Sequence, residues 1–341
     1  MRNRILEIAA ATGLVFAFVT GVLLLTGAPP LDAYGLIVRG AFGSVPKFAR
    51  VLTVWVPLTL CACGLLYTFR IGLWNIGVEG QIILGAVGTT WVLRAGAGPL
   101  PPAVLLGLAM GAGVCLGALW SLGAGLLRTR GGVNEIFAGL GLNFVAQGIV
   151  LWLIFGPWKR AGVASMSGTE PFPPDLWLPT FSWGRLSPVA LACAVGALVL
   201  TAWLLGRTRV GLCLKAVGGN PRAAHLLGLA PERYLLLAMA LAGGLAGLAG
   251  ALQVLGVYHR LIPAISSNYG YLALLVTMLA GFRLSPVVPI ALFFAALNVG
   301  SVQLPMSLRL DSSLSGVIQG ALVLAVLLAH GWGTRRARRG T

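Results

Sequence analysis

Apolar stretches about as long as a bilayer-crossing helix recur from one end of the chain to the other, separated by short basic breaks. They fall at about 6–26, 51–69, 76–94, 101–127, 133–155, 188–206, 233–256, 268–282, 286–304 and 314–331. A helix needs roughly 20 apolar residues to cross the hydrocarbon core. No water is available there for backbone N–H and C=O groups, so continuous apolar runs of this length can only be helices that satisfy their own backbone. Composition agrees: 58% of the 341 residues are hydrophobic and 9% are charged, whereas a soluble domain carries about a quarter charged residues. The expected fold is all-α, a polytopic transmembrane bundle of about ten spans in one membrane domain covering 1–341.

The 24 basic residues outnumber the 8 acidic ones, for a net charge of +16. In a soluble protein this would suggest nucleic acid. Here the cations sit in the breaks between spans and at the chain ends, where they determine topology, so no nucleic-acid partner is expected. Placing the N-terminus in the cytoplasm puts 15 Lys/Arg inside and 9 outside, which favours both termini in the cytoplasm. The run from Ile5 to Leu25 is longer than a signal-peptide core and reads as a retained first span in a multi-pass protein of the cell (inner) membrane.

Three connecting segments are long enough to hold structure. Residues 27–50 are expected outside, with a mildly amphipathic stretch from Leu36 to Phe48 at the membrane surface. Residues 156–187, rich in Pro and Trp, read as an external cap whose aromatics sit at headgroup level. Residues 207–232 are cytoplasmic. The stretch from His259 to Tyr271, which leads into the eighth span, mixes Pro263, Ser266, Ser267, Asn268 and Gly270 before the apolar run resumes, so a broken or re-entrant element is expected there. Gly107 with Gly111, Gly113 with Gly117, and Gly243, Gly247 and Gly250 recur at helical spacing, the pattern by which helices approach closely in a membrane.

Two carboxylates lie near the start of spans, Glu79 and Glu135. A carboxylate at that depth costs several kcal/mol unless it pairs, caps a helix or faces water, so each is a functional candidate. Each also suits a helix N-terminus, where the dipole favours negative charge by about 0.3–1 kcal/mol. Catalysis finds no support. His225, His259 and His330 are scattered, no H-E-x-x-H or G-x-S-x-G occurs, and no metal site is expected. None of the three lysines completes a G-x-x-x-x-G-K-[ST] loop, so ATP is not hydrolysed on this polypeptide.

Between Gly218 and Leu229 the cytoplasmic segment describes a short helix. Asn220 is a good cap, Pro221 fits the first helical position, and Gly228 stops it. Ala223 and Ala224 with Leu226 and Leu227 form a small apolar face suited to another protein's groove, with an ordinary interfacial turn as the alternative.

Gly-Asn-Pro-x-Ala-Ala-x-x-x-Gly, Gly219 to Gly228, resembles the coupling-helix motif through which ABC importer permeases engage their ATPases. Gly72-Leu73-Trp74-Asn75-Ile76-Gly77-Val78-Glu79-Gly80-Gln81 is similar to a motif of the simple-sugar and nucleoside branch of that superfamily, as are Gly131 to Ile136 and Leu142-Asn143. The resemblance extends over nearly the whole chain and implies a type II ABC importer-like fold, specifically the longer subunit of a permease pair. It implies uptake of nucleosides or simple sugars by alternating access. The implied partners are separate ABC ATPase subunits, a second permease giving a heterodimer, and an extracytoplasmic substrate-binding lipoprotein. No cofactor belongs to the chain itself, ATP and Mg residing on the ATPases. Gly218, Gly219, Asn220, Pro221, Ala223, Ala224 and Gly228 are the implied coupling residues. Ribose hydroxyls call for polar groups and a base calls for aromatic faces, which makes Trp74, Asn75, Glu79, Gln81, Asn134, Glu135, Asn143 and Phe144 candidates for the solute path. The competing reading is a proton-coupled secondary transporter using Glu79 or Glu135.

Overall fold

The computed structural model of the protein describes residues 29–96, 100–160, 162 and 167–303, with isolated positions at 17, 20, 21, 24, 307 and 320. The spans expected at 6–26 and 314–331 fall almost entirely outside the described residues, as do parts of the 156–187 segment. All regular structure among the described residues is helical: α1 Pro30–Phe42, α2 Val45–Arg70, α3 Val78–Gly96, α4 Pro102–Thr129, α5 Glu135–Phe155, α6 Pro188–Arg207, α7 Arg209–Gly219, α8 Pro221–Leu226, α9 Pro231–Gln253, α10 Tyr269–Leu279 and α11 Leu284–Ser301. A π-helical turn, Val254–Tyr258, continues α9. Among the described residues six helices, α2, α4, α5, α6, α9 with its π turn, and α11, are long and apolar enough to cross a membrane.

The chain divides into two compact units, residues 1–54 with 292–341, and residues 55–291. In the first, α1 buries Ala33, Ile37, Gly40 and Ala41. Gly40 lies directly against Gly300 of α11, where a side-chain carbon would meet the Gly300 Cα at 3.2 Å. The amphipathic stretch expected over 36–48 is instead divided between two helices. Gly43 N–H bonds to Arg39 C=O and closes α1, and the chain restarts at Val45 with Pro46 next to it, a residue suited to a helix start. The second span therefore begins earlier than the apolar run suggested.

In the second unit α3 is central. Fourteen of its residues, from Val78 to Leu93, are buried, with α4, α5 and α9 packed around it. It carries Glu79, Gln81, Thr89, Thr90 and Arg94, and does not qualify as a membrane-crossing helix on apolarity. Protein encloses it, so it needs no lipid-facing stripe. Glycines bring its neighbours close. Gly117 of α4 abuts Gly247 of α9, where a side-chain carbon would fall 2.6 Å from the Gly247 Cα. Gly85 of α3 abuts Gly247 as well. Gly107 and Gly111, expected to pack in the same way, face open space. Hydroxyls join helices where the backbones approach: Ser121 donates to Met239 C=O at 2.6 Å and Thr89 to Ala109 C=O at 3.1 Å.

The break expected after α9 is present. Residues 259–268 are non-helical, with His259, Ser267 and Asn268 at positive φ. The 167–178 segment satisfies the carbonyls this break releases. Thr169 N–H donates to Leu261 C=O at 2.9 Å, Phe172 N–H to His259 C=O at 2.8 Å and Leu178 N–H to Leu255 C=O at 3.0 Å.

Candidate functional site

Between α2 and α3 the chain turns through Gly72 at φ +83° and runs non-helically to Gly77. Here Asn75 and Gln81 form a buried reciprocal pair, each amide NH2 donating to the other's carbonyl at 3.2 and 2.9 Å. Gly77 lies against Gly139 of α5, and a side-chain carbon at Gly139 would stand 2.6 Å from the Gly77 nitrogen. That approach brings Asn143, one turn further along α5, over the start of α3. Its Oδ1 accepts from Gly80 N–H at 2.8 Å, while its Nδ2 donates to Ile76 C=O at 3.0 Å and to the Tyr271 hydroxyl at 3.2 Å.

Glu79, only 5% exposed, lies in the first turn of α3, and its Oε2 accepts from Gly270 N–H at 2.8 Å in the first turn of α10. The carboxylate therefore sits where two helix N-termini meet, the arrangement that best tolerates a buried anion. Gly270 has no room for a side chain, since an added carbon would fall 2.9 Å from the Glu79 nitrogen. Gln147, on the same helix as Asn143, donates to Pro263 C=O at 3.0 Å within the break. One polar centre thus ties together α3, α5 and the broken segment after α9.

Four of the expected path residues, Asn75, Glu79, Gln81 and Asn143, form this centre. The others lie apart from it. Asn134 caps α5, its Oδ1 accepting from Ile136 N–H at 2.9 Å. Glu135 pairs with Arg128 of α4 at 3.2 Å. Nine residues along a helix separate Asn134 from Asn143, about 14 Å. Trp74 packs edge-on against Phe69 with ring centroids 5.2 Å apart. Phe144 is 78% exposed, whereas its neighbour Asn143 is buried. Adjacent positions on an α-helix point in different directions, so only one of this pair can face the centre. Sequence reasoning did not single out Trp120 of α4. Its buried indole nitrogen lies against Gly80 and has no hydrogen-bond partner among the described residues.

The short capped helix expected between Gly218 and Leu229 is also formed. Asn220 Oδ1 accepts from Ala223 N–H at 3.1 Å, Pro221 opens α8, and Gly228 adopts φ +83° past its end. Ala224, expected on the outward face, is instead 2% exposed and packs with Leu214, Val217, Ile71, Leu73 and Met239. Only one side of so short a helix can face outward, and here Ala223, Leu226 and Leu227 do. At the end of α7, Gly218 lies against the backbone of Arg70 and Ile71, where a side-chain carbon would stand 2.9 Å from the Ile71 Cα. Gly219 faces open space.

At the other end of the site, His259 stacks on Trp177 with ring centroids 3.9 Å apart and planes 11° from parallel. Burial pushes its pKa down, and the charge of Arg185 adds to the effect. The folded state therefore favours the neutral ring. The stability this gives is fully present above the ordinary histidine value of about 6.5 and is lost as pH falls through it towards the lowered folded value. Thermal unfolding should accordingly move to lower temperature as pH drops below neutrality, and His259→Gln should flatten that slope.

Six helices among the described residues that are long and apolar enough to cross a membrane, some of them packed around a buried polar centre, describe a multi-pass membrane protein. Residues 47–327 match the family described as "Branched-chain amino acid transport system / permease component". The chain belongs to this family and is the permease component of an ABC transporter. It is 32% identical to a glucose ABC transporter permease of Haloferax volcanii, over 88% of this chain and 81% of that one. A putative second glucose permease of the same organism matches at 26%, over 76% and 79%. The guanosine ABC transporter permease NupP of Bacillus subtilis matches at 25%, over 91% and 89%. Among solved structures, PsaBC from Streptococcus pneumoniae shares the fold with a TM-score of 0.51 at 13% identity, covering 86% of this chain and 94% of that one.

Proposed function

We propose that the chain imports nucleosides or simple sugars as one of two different permease subunits in the cell membrane. Separate ATPases drive it, and an extracytoplasmic lipoprotein supplies the solute. The names of the Haloferax and Bacillus relatives support the solute class, and the second Haloferax permease supports a heterodimer. The proposed topology has about ten spans with both termini and the 207–232 segment in the cytoplasm, consistent with the 15 to 9 distribution of basic residues.

One observation carries the mechanism: the 71–81 segment touches both ends of the machinery. Its start, at Ile71 and Leu73, packs with Leu214, Val217 and Ala224 of the coupling segment. Its end holds Glu79 on Gly270 and Gly80 on Asn143. Movement of α7 and α8 by a docked ATPase displaces Ile71 and so re-aims the start of α3 against α5 and α10. Interiors packed this closely transmit displacement instead of absorbing it. In this reading the Trp120 indole N–H, which has no partner among the described residues, is the donor offered to a solute hydroxyl or base, while Asn143, its amide already engaged, holds the start of α3 in register.

The test is uptake of labelled guanosine and glucose by the assembled transporter in proteoliposomes, with ATP inside. Uptake of either that requires ATP and the lipoprotein is the expected result. Uptake driven by a proton gradient without ATP would overturn it in favour of a secondary carrier centred on Glu79. Reporter fusions after Arg130 and Arg222 should read cytoplasm and one after Asp175 the outside.

A further inference from the structure

A groove of about 650 Å³ opens between α2, α6 and the turn joining α10 to α11. This volume is within the range, about 300–1,000 Å³, of sites that enclose a small organic ligand. Its walls are aliphatic, formed by Leu66 of α2, Leu198, Ala202 and Leu205 of α6, and Val288 of α11. From Leu198 to Gly206 the groove follows α6 for eight residues, about 12 Å. The Thr201 hydroxyl on the wall is already engaged, accepting from the Tyr67 hydroxyl at 2.9 Å. Val199, also on the wall, is 64% exposed, so this side of α6 opens away from the protein.

The polar residues collect at one end. Arg70 is the last residue of α2, Arg283 immediately precedes α11, and both are exposed. Neither is paired with a carboxylate among the described residues. A constrained turn supports this end: Gly281 at φ +60° is followed by Phe282 at φ +59°. A bulky residue is rarely found in that region unless its surroundings hold it there. Here the Phe282 ring packs on Phe69, centroids 4.8 Å apart, one residue before Arg70. The turn thus brings a second cation to a groove that already has one. Because Gly218 packs on the Arg70 backbone, this end is on the side of the coupling segment.

We propose that the groove is a binding site for an anionic phospholipid, with an acyl chain along α6 and the phosphate held by Arg70 and Arg283. An apolar trough open to the bilayer suits the chain, and two unneutralised arginines at its end suit the phosphate. The lipid would neutralise two like charges and fasten the α10–α11 turn to α2. Assignment to the cytoplasmic leaflet rests on the proposed topology, whereas the site itself does not.

The test is native mass spectrometry of the assembled transporter offered dioleoyl-phosphatidylglycerol and dioleoyl-phosphatidylcholine, with retained lipid counted for wild type and variants. Wild type should retain phosphatidylglycerol selectively. Arg70→Gln and Arg283→Gln should each weaken retention about fivefold, as expected for one basic residue at a lipid surface. Val199→Trp, which narrows the trough without changing charge, should also lower retention. Equal retention of both lipids with no effect of the arginine variants would overturn the proposal. So would displacement of the lipid by inorganic phosphate alone, which would make this a free-phosphate site. Loss of the second permease in Val199→Trp with lipid retention unchanged would instead assign the groove to a protein interface.

Discussion

Replacing Glu79 by leucine should abolish uptake in a transporter that still assembles with its ATPases. The side chain is buried and its Oε2 takes the Gly270 N–H at 2.8 Å, so leucine leaves that donor unsatisfied at the start of α10. A buried donor stripped of its acceptor costs about 1–3 kcal/mol. The cost falls on the contact between α3 and the start of α10, the contact that the proposed mechanism re-aims in each transport cycle. Glu79→Gln keeps an acceptor oxygen and should retain a measurable fraction of the rate. The coupling segment, built on Ile71, Leu73 and Met239, is untouched by either change. Uptake of labelled solute and co-purification of the ATPases are the two measurements. Normal uptake in Glu79→Leu would remove the carboxylate from the mechanism.

The second large effect is expected at α8, the proposed coupling helix, and it separates two adjacent alanines. Leu226, 87% exposed on α8, should uncouple the transporter when changed to aspartate. Residues that anchor a protein interface cost about 2 kcal/mol or more when their contact is removed, roughly thirtyfold in affinity. Uptake and lipoprotein-stimulated ATP hydrolysis should fall together while the permease inserts and folds normally. Ala223→Trp should act in the same way, because Ala223 also faces outward. Ala224→Trp should behave differently. It overpacks an internal cluster, at about 1–3 kcal/mol, so its thermal stability should fall as well. A Leu226→Asp transporter with normal ATPase binding and uptake would show that this helix is not the coupling element.

The two sites also mark where reading the chain from its residues succeeds and where it stops. The α8 helix was legible in full as a local object, because cap, first residue and stop depend only on a few neighbouring residues: Asn220, Pro221 and Gly228. The direction Ala224 faces was not legible, since it depends on what α7, α2 and α9 place beside it. The same division holds at the centre. Asn75, Glu79, Gln81 and Asn143 could be recognised as polar groups in apolar surroundings, which is a property of the sequence around each. That Glu79 meets Gly270, 191 positions away, could not.

What the sequence by itself determined is the set of local properties: an all-helical membrane chain, the approximate bounds of its described spans, the interruption near 259–268 and the capped helix at Asn220. Each follows from hydropathy over one bilayer thickness or from backbone chemistry within a single turn. Only the tertiary structure decided which glycines meet. Gly117 lies against Gly247 while Gly107 and Gly111 on the same helix face open space, although all of them recur at the same spacing. It also placed Asn143 at the centre and turned the adjacent Phe144 outward. The physical reason is that a helical period specifies a face but not its neighbour. The neighbour is chosen by packing between segments far apart in the chain, where one small residue allows contact only if the facing backbone is there to fill the space.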